Sequence, residues 1–128
     1  MPHFTIEYSA NLDPLVDMQA LCREVLKAAL TTGVFEAGAA RVRAIRCDAY
    51  AIADDKPENG FIDLSVRLAK GRDAATKTRL GEAVFAAMTG FLAPRFETKN
   101  FALSFEIREI DPELSWKKNT IHDRLRKA

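Results

Sequence analysis

The chain contains 128 residues, 48% of them hydrophobic, which gives it the length of one domain and enough apolar side chains for a core of its own. Its 19 basic and 18 acidic residues leave a formal net charge of +1, a balance that argues against nucleic acid as a partner. No apolar stretch approaches the roughly 20 residues that cross a bilayer, and the N-terminus lacks the layout of a signal peptide, so we expect a soluble cytoplasmic protein with no membrane partner.

The first half of the chain predicts a strand, a helix and a second strand, over residues 3–8, about 14–32 and 41–50. Phe4, Ile6 and Tyr8 alternate with polar residues, which is the period of a strand with one buried face. We expect Asp13 to cap the helix and Pro14 to begin it, because these residue types favour those positions. Apolar residues then recur at helical spacing, at Leu15, Met18, Leu21, Cys22, Val25, Leu26 and Ala29.

The second half predicts the same order of elements, with a strand over residues 62–68, a helix, a strand over residues 101–108 and then a short final helix over residues 119–126. Asp73 is the expected N-cap of the first of these helices, and Pro94 follows its end. Asp111 and Pro112 predict a turn after the last strand. The buried stripe of the long helix is expected at Leu80, Val84, Ala87, Met88 and Phe91.

The repeated order indicates an α+β fold, in which a single domain over residues 1–128 contains two β-α-β halves, at about 1–57 and 58–128. Two such halves pair into one four-stranded sheet with both helices on one face. The other face of the sheet then carries mixed polar side chains, namely Ser65, Arg67, Ser104, Glu106 and Arg108. These side chains are too polar for a buried core but suit a contact between subunits, so we expect an oligomer.

Pro2 directly follows the initiator Met1 and precedes the first strand. If Met1 is removed, the Pro2 nitrogen becomes a secondary amine instead of an amide, and a neutral amine is a good general base. Nearby positive charge or partial burial would lower the pKa of this amine towards neutrality. The alternative, which stays open at this point, is that the proline simply begins an edge strand, where a missing N–H costs nothing.

An enol–ketone isomerisation needs a group that moves a proton and cations that hold the carboxylates of the substrate. Pro2 could be the group that moves the proton, and Arg41 and Arg72 could be the cations that hold the carboxylates. A guanidinium suits this role because it stays charged and binds a carboxylate through two parallel hydrogen bonds. Arg43 and Arg46, by contrast, are expected to be solvated surface groups.

The histidines and cysteines are expected to have structural roles. His3 and His122 are interpreted as structural or surface polar groups rather than as ligands. Cys22 and Cys47 form no CxxC pair and have no histidine at ligand spacing. They therefore predict buried thiols rather than a disulfide or a metal site.

Five segments together carry a resemblance to a known family: residues 2–12 (PHFTIEYSANL), Gly33-Val34-Phe35 leading to Arg41-Val42-Arg43, Gly71-Arg72, residues 103–107 (LSFEI) and residues 117–122 (KKNTIH). In these segments the chain resembles the 5-carboxymethyl-2-hydroxymuconate isomerases, a long-chain, internally duplicated branch of the tautomerase superfamily. The resemblance covers essentially the whole chain. Its first and last segments are far more specific than an N-terminal proline alone.

The resemblance implies a tautomerase-like fold, a homotrimer, no cofactor and a role in the bacterial breakdown of homoprotocatechuate. It places the catalytic proline at Pro2, freed by removal of Met1, and the two carboxylate-binding arginines at Arg41 and Arg72. The implied substrate is a small dicarboxylate or tricarboxylate enol. Pro2 would move a proton from its enol oxygen to C5, which gives the conjugated 2-oxo-ene form.

Several positions depart from the family pattern. Asp63 stands where a histidine is expected, and Ala39 and Ala40 replace a bulkier lead-in to the first arginine. Tyr50 occupies a position where tryptophan is also found, and it is a candidate for the pocket wall. These changes leave the substrate open, so two alternatives remain. One is a related enzyme that hydrates, dehalogenates or decarboxylates another acidic enol or unsaturated acid, and the other is a non-catalytic, ferredoxin-like oligomeric module.

Overall fold

Four strands form one mixed sheet in the computed structural model, which describes residues 2–127. The strands are β1 (His3–Ser9), β2 (Arg41–Cys47), β3 (Gly60–Ala69) and β4 (Phe101–Ile110). Their order across the sheet is β2-β1-β3-β4. Each half contributes one parallel pair, and the halves meet where β1 pairs antiparallel with β3. The predicted pairing of two β-α-β units into one sheet is therefore confirmed.

The helices are α1 (Met18–Thr31), α2 (Ala74–Phe91), the short α3 (Ala93–Phe96) and α4 (Thr120–Lys127). Single 3₁₀ turns lie at Ala10–Leu12, Ala37–Ala39 and Pro112–Leu114. The Asp73 side chain accepts a hydrogen bond from the Thr76 N–H, which confirms the predicted cap of α2. Among the described residues, no helix is both long and apolar enough to span a bilayer.

The core lies between one face of the sheet and the paired helices α1 and α2, as predicted. Alternate residues of β1 and β3 face these helices, and because Phe4 pairs with Val66 in the register, the two strands present the same face. The residues with no exposed surface include Phe4, Ile6, Leu21, Val25, Ile62, Leu64, Val66, Leu68, Leu80, Val84 and Met88. This packing fixes the ends of the strands, and those ends carry the candidate site.

The helix-free face of the sheet carries the polar residues expected there. The register places Arg67 beside Arg108, Ser65 beside Glu106 and Asp63 beside Ser104. The Ser104 hydroxyl donates a 2.6 Å hydrogen bond to the Asp63 carboxylate, so the residue that departs from the family pattern is bound to its cross-strand neighbour.

The start of α1 differs from the prediction. Asp13 accepts a 2.9 Å hydrogen bond from the Tyr8 hydroxyl and pairs with Arg46 at 2.7 Å, so its carboxylate is not a helix cap. The cap is Asp17, whose side chain accepts from the Ala20 N–H at 3.0 Å. Leu15 therefore lies before the helix and is 56% exposed, which removes it from the expected buried stripe.

Three smaller predictions are also corrected. β2 ends at Cys47 rather than residue 50, because β1 ends at Ser9, the register partner of Cys47. Ala87 and Phe91 are half-buried, and Leu92, just past α2, is buried instead. The cysteines are free thiols, but both Cys22 and Cys47 are partly exposed rather than fully buried.

Candidate active site

Pro2 is buried and lines a cavity of about 410 Å³ beside the start of β1. We call this the Pro2 cavity. Its volume falls in the range of pockets that hold small molecules. The residues that line it are Pro2, Val34, Phe35, Glu36, Ala39, Arg72, Lys117, Asn119, His122, Asp123 and Arg126. Two of the residues expected at the site, Pro2 and Arg72, therefore share one cavity, and the small Ala39 lines it as well.

Arg72 is held in place from two sides. Its Cζ atom lies 5.0 Å from the centroid of the Phe35 ring, in a cation–π contact, and its Nη1 donates to the Ala69 carbonyl at 3.3 Å. The Phe35 ring in turn packs edge-on against the buried ring of Phe4, with centroids 6.3 Å apart. Since Phe4 lies on β1 only two residues after Pro2, the core positions the arginine relative to the proline.

Arg41 faces a second cavity, of about 530 Å³, which we call the Arg41 cavity. The Arg41 N–H donates to the Pro2 carbonyl at 3.4 Å, so the two backbones are adjacent. The side chain leaves on the helix-free face, because Arg41 is the register partner of His3 and not of a core residue. This cavity is lined by His3, Arg41, Arg67, Ile110, Leu114, Ser115, Trp116, Lys117 and Lys118. Within one chain, the two predicted carboxylate ligands thus lie in neighbouring cavities rather than in one.

Within residues 2–127, neither Arg41 nor Arg72 forms an ion pair with a carboxylate. Arg41 contacts the His3 ring, and Arg72 contacts a carbonyl and an aromatic ring. Arg46 shows the opposite pattern, because it pairs with Asp13 at 2.7 Å and Asp48 at 2.9 Å. Arg41 and Arg72 are therefore the kind of cation that an incoming carboxylate can neutralise, whereas Arg46 is a paired surface group.

His3 is neutral at physiological pH. Burial, followed by the charges of Arg41, Arg67 and Arg43, lowers the pKa of His3 from 6.5 to about 4. Arg43 Nη2 lies 2.6 Å from Nδ1 of the ring, so Nδ1 accepts and the proton of the neutral ring is on Nε2. Arg41 Nη1 lies 3.5 Å from that Nε2 atom, a much longer contact than the one made by Arg43. Arg43 is thus the hydrogen-bond donor to His3, whose ring lines the Arg41 cavity. The structural role expected for His3 stays a prediction.

The C-terminal helix α4 closes one side of the Pro2 cavity. Arg126 donates two hydrogen bonds to the Glu36 carboxylate, at 2.8 and 3.0 Å, and His122 Nε2 lies 3.3 Å from the same carboxylate. The Arg126 hydrogen bonds lower the pKa of Glu36. The negative charge of Glu36 is thus compensated within the cavity wall, which favours the entry of an anionic substrate.

The backbone contact of α4 depends on Gly38. A Cβ atom at this position would lie 2.5 Å from the Cα of His122, and the Asn119 side chain donates a 2.7 Å hydrogen bond to the Gly38 carbonyl. The sequence prediction gave His122 a structural or surface role. The structure shows it as a half-buried residue that both packs α4 and lines the cavity.

Tyr50 lies at the opposite end of the sheet. It follows β2, whose last residue, Cys47, pairs with Ser9 at the far end of β1, and its ring packs against Phe61 with centroids 6.4 Å apart. The length of β1 separates it from Pro2, roughly 20 Å for a seven-residue strand. Tyr50 lines neither cavity, so within one chain it is not part of the wall around Pro2.

Glu36, Lys117, Asn119 and His122 line the Pro2 cavity, although sequence reasoning gave none of them a role in the site. The sequence did contain a signal that three of them, Lys117, Asn119 and His122, could belong to the site. Residues 117–122 formed one of the segments that carried the family resemblance, and such a segment far from the proline must either fold against the site or hold the subunit together. Glu36 had no comparable signal, since its importance depends on a helix that begins more than eighty residues later.

Comparison with known proteins places the whole chain in one group. The family model of 5-carboxymethyl-2-hydroxymuconate isomerase matches residues 2–125. The chain is 30% identical over 122 residues to the 5-carboxymethyl-2-hydroxymuconate Delta-isomerase of Escherichia coli, covering 95% of this chain and 97% of the relative.

Solved structures agree with this result. A 5-carboxymethyl-2-hydroxymuconate isomerase from Deinococcus radiodurans R1 superposes with a TM-score of 0.89 at 35% identity, covering 97% of this chain and 93% of that one. A 5-carboxymethyl-2-hydroxymuconate delta-isomerase gives a TM-score of 0.91 at 34% identity, covering 100% and 95%. A fused 4-OT described as a symmetric trimer shares the fold at 13% identity, with a TM-score of 0.67 and coverage of 91% and 93%.

Proposed function

Because the chain belongs to the 5-carboxymethyl-2-hydroxymuconate isomerase family, and is therefore an isomerase of the tautomerase fold that interconverts keto and enol forms of a small molecule, we propose that it ketonises 5-carboxymethyl-2-hydroxymuconate. The product is the conjugated 2-oxo-ene isomer. The observation that carries the proposal is the placement of Pro2 in one cavity with Arg72, which contacts the Phe35 ring and forms no ion pair within residues 2–127.

Pro2 is proposed to be the catalytic base and acid. Removal of Met1 would convert its nitrogen from an amide into an amine, which takes the proton of the enol oxygen and returns it to C5 of the same molecule. Atoms and charge balance, because the C5 carbon gains the proton that the enol oxygen loses. The burial of Pro2 and the positive charge of Arg72 both favour the neutral amine. A base whose pKa is near the working pH is the most effective one.

Arg72 is proposed to bind one substrate carboxylate beside Pro2, and Arg41 to bind a second. The fixed position of Arg72 on Phe35 means that little conformational entropy is lost when the carboxylate binds. The Arg41 backbone N–H is hydrogen-bonded to the Pro2 carbonyl, but the Arg41 side chain faces the neighbouring cavity. A substrate that reaches both guanidinium groups therefore extends from one cavity towards the other, or meets Arg41 across a subunit boundary.

The assembly, location and pathway are also proposed. We infer a single-domain subunit of two β-α-β halves, split at about residues 57 and 58, that forms a homotrimer through its polar, helix-free sheet face. The trimeric fused 4-OT of the same fold supports this state. The enzyme would act in the cytoplasm on an acidic substrate, without a cofactor and without nucleic acid or membrane partners, in the breakdown of homoprotocatechuate.

A hydration or dehalogenation reaction at the same site is the alternative. Such a reaction needs a group that activates water, and two carboxylates line the Pro2 cavity, Glu36 and Asp123. Asp123 lies on α4 and is exposed to solvent. Glu36 is poorly suited to this task, because Arg126 engages both of its oxygens and lowers its pKa. Isomerisation, which needs no activated water, fits the cavity better. A non-catalytic module would have no need for the cavity or for its unpaired cations.

An ultraviolet assay of ketonisation tests the proposal. The mature protein, shown by mass spectrometry to start at Pro2, is mixed with 5-carboxymethyl-2-hydroxymuconate, and the loss of the dienol is followed. We expect turnover that falls by about 10² or more in Pro2→Ala, with a smaller change in KM. Unchanged turnover in Pro2→Ala, or no turnover by the wild type, would reject the assignment.

A further inference from the structure

Lys117 is a cation that lines both cavities. It lies in the segment of residues 115–119 between the 3₁₀ turn Pro112–Leu114 and α4, and it borders the Pro2 cavity on one side and the Arg41 cavity on the other. Among the residues that border the two cavities, it is the one they have in common. Its neighbour Lys118 borders the Arg41 cavity alone.

The Lys117 side chain is exposed, and the chain is anchored two residues after it. Two residues later, the Asn119 side chain donates a 2.7 Å hydrogen bond to the Gly38 carbonyl, and Asn119 Oδ1 accepts from the His122 N–H at 3.0 Å. The segment is thereby tied to the wall of the Pro2 cavity. The Lys117 ammonium forms no ion pair with any carboxylate in the described part of the chain.

From this position we propose that Lys117 is a specificity-determining residue, which binds the carboxylate of the carboxymethyl arm on C5. The inference rests on the proposed function, whose substrate carries three carboxylates. Two of these belong to the planar conjugated frame and suit the planar guanidinium groups of Arg41 and Arg72. The third is on a flexible arm that leaves the plane, and a lysine ammonium on a four-carbon stem binds such a group without a fixed geometry.

The test compares two dienols in the wild type, in Lys117→Ala and in Lys117→Arg. The first dienol, 5-carboxymethyl-2-hydroxymuconate, has the arm, and 2-hydroxymuconate lacks it. We expect Lys117→Ala to lower kcat/KM about tenfold for the first dienol, mainly through KM, as for the loss of one charged hydrogen bond. The expected loss for the second dienol is less than about threefold. Lys117→Arg keeps the charge and should retain most of the activity.

Lys99→Ala is the matched control, because Lys99 is also an exposed lysine but precedes β4 at the end of the sheet opposite Pro2. It should leave both values of kcat/KM unchanged. Equal kcat/KM values for Lys117→Ala and wild type, or equal losses of kcat/KM on both dienols, would overturn the role of Lys117. Either result would leave the isomerase assignment intact. If the wild type turns over neither dienol, the proposed function fails, and the role of Lys117 fails with it.

Discussion

The guanidinium of Arg72 rests on the ring of Phe35, with its Cζ atom 5.0 Å from the ring centroid. This contact links the candidate site to the core, because Phe35 is 8% exposed and packs edge-on against Phe4. An arginine with a hydrogen bond to a single carbonyl would otherwise sample many rotamers. The aromatic ring therefore contributes order to a cation that has no carboxylate partner within residues 2–127.

Replacing Phe35 with leucine should weaken catalysis more than it weakens the fold. The substitution keeps an apolar side chain but removes the cation–π contact, worth about 1–2 kcal/mol in a half-desolvated setting. We expect kcat/KM to fall about tenfold and Tm to fall by a few degrees, from one core cavity. Phe61→Leu, which disrupts the aromatic pair with Tyr50 at the other end of the sheet, should leave kcat/KM unchanged. Equal effects on kcat/KM in the two variants would show that Phe35 does not position Arg72.

Replacing Arg72 with alanine should chiefly raise KM or lower turnover. The lost contact is a charge-assisted hydrogen bond to the substrate, worth about 2 kcal/mol, so kcat/KM should fall roughly thirtyfold. Steady-state kinetics of Arg72→Ala, Arg72→Lys and Arg46→Ala measure this change in kcat/KM. Arg46 is the control, since it is already paired with Asp13 and Asp48. A near-wild-type Arg72→Ala enzyme would make Arg72 a surface cation with no role in binding.

Gly38→Ala should displace α4 from the Pro2 cavity. The new Cβ would lie 2.5 Å from the His122 Cα, a backbone atom that cannot move aside without moving the helix. We expect kcat/KM to fall about tenfold or more. The free energy of global unfolding should change little, because α4 has no fully buried residues.

Gly90→Ala is the control for Gly38→Ala. Gly90 lies in α2, and an added Cβ there meets nothing within 4 Å. This variant should be slightly more stable, by about 0.5–1 kcal/mol, because alanine is the better helix former, and its activity should not change. An active Gly38→Ala enzyme would indicate that the position of α4 is unimportant to the site.

His3 should make the fold less stable as the pH falls. Its pKa is about 4 in the folded chain and 6.5 in the unfolded one, so between these pH values the unfolded chain binds the extra proton. The contribution of His3 is complete above pH 6.5 and is lost as the pH falls towards 4. Because His3 is partly exposed, solvent screening should keep the effect below about 1 kcal/mol.

Denaturant unfolding of wild type and His3→Gln at pH 7, 5.5 and 4.5 measures this contribution. The glutamine keeps polar atoms but does not titrate, so the stability difference between the two proteins should narrow towards acid pH. A difference that is constant across these pH values would show that His3 is not protonated preferentially in the unfolded chain.

The fold followed from the sequence to a large extent, because both halves carry strong local patterns. The alternation in β1, β3 and β4 and the Asp73 cap of α2 each depend on nearby residues. The start of α1 did not follow, since Asp13 is drawn to Arg46 and Tyr8, and these contacts depend on how β1 and β2 pair. In this case tertiary contacts of Asp13 outweighed its local preference for the helix cap.

The site was less predictable than the fold. Pro2 and Arg72 share a cavity, but Arg41 faces another one, because strand register decides which face a side chain takes. A one-residue change in register would reverse that outcome, and no single segment reveals it. The contribution of α4 was equally hidden, since Glu36 and Arg126 are ninety positions apart in the chain.

The most direct test of the central claim compares two forms of the same chain, one that starts at Pro2 and one in which Met1 is retained by inhibiting methionine removal during expression. Mass spectrometry identifies each form, and the ketonisation rate of 5-carboxymethyl-2-hydroxymuconate is measured for both. With Met1 retained, the Pro2 nitrogen is an amide and cannot carry a proton, so kcat should be lower by about 10² or more. Equal kcat for the two forms would contradict the role of Pro2 as the proton carrier.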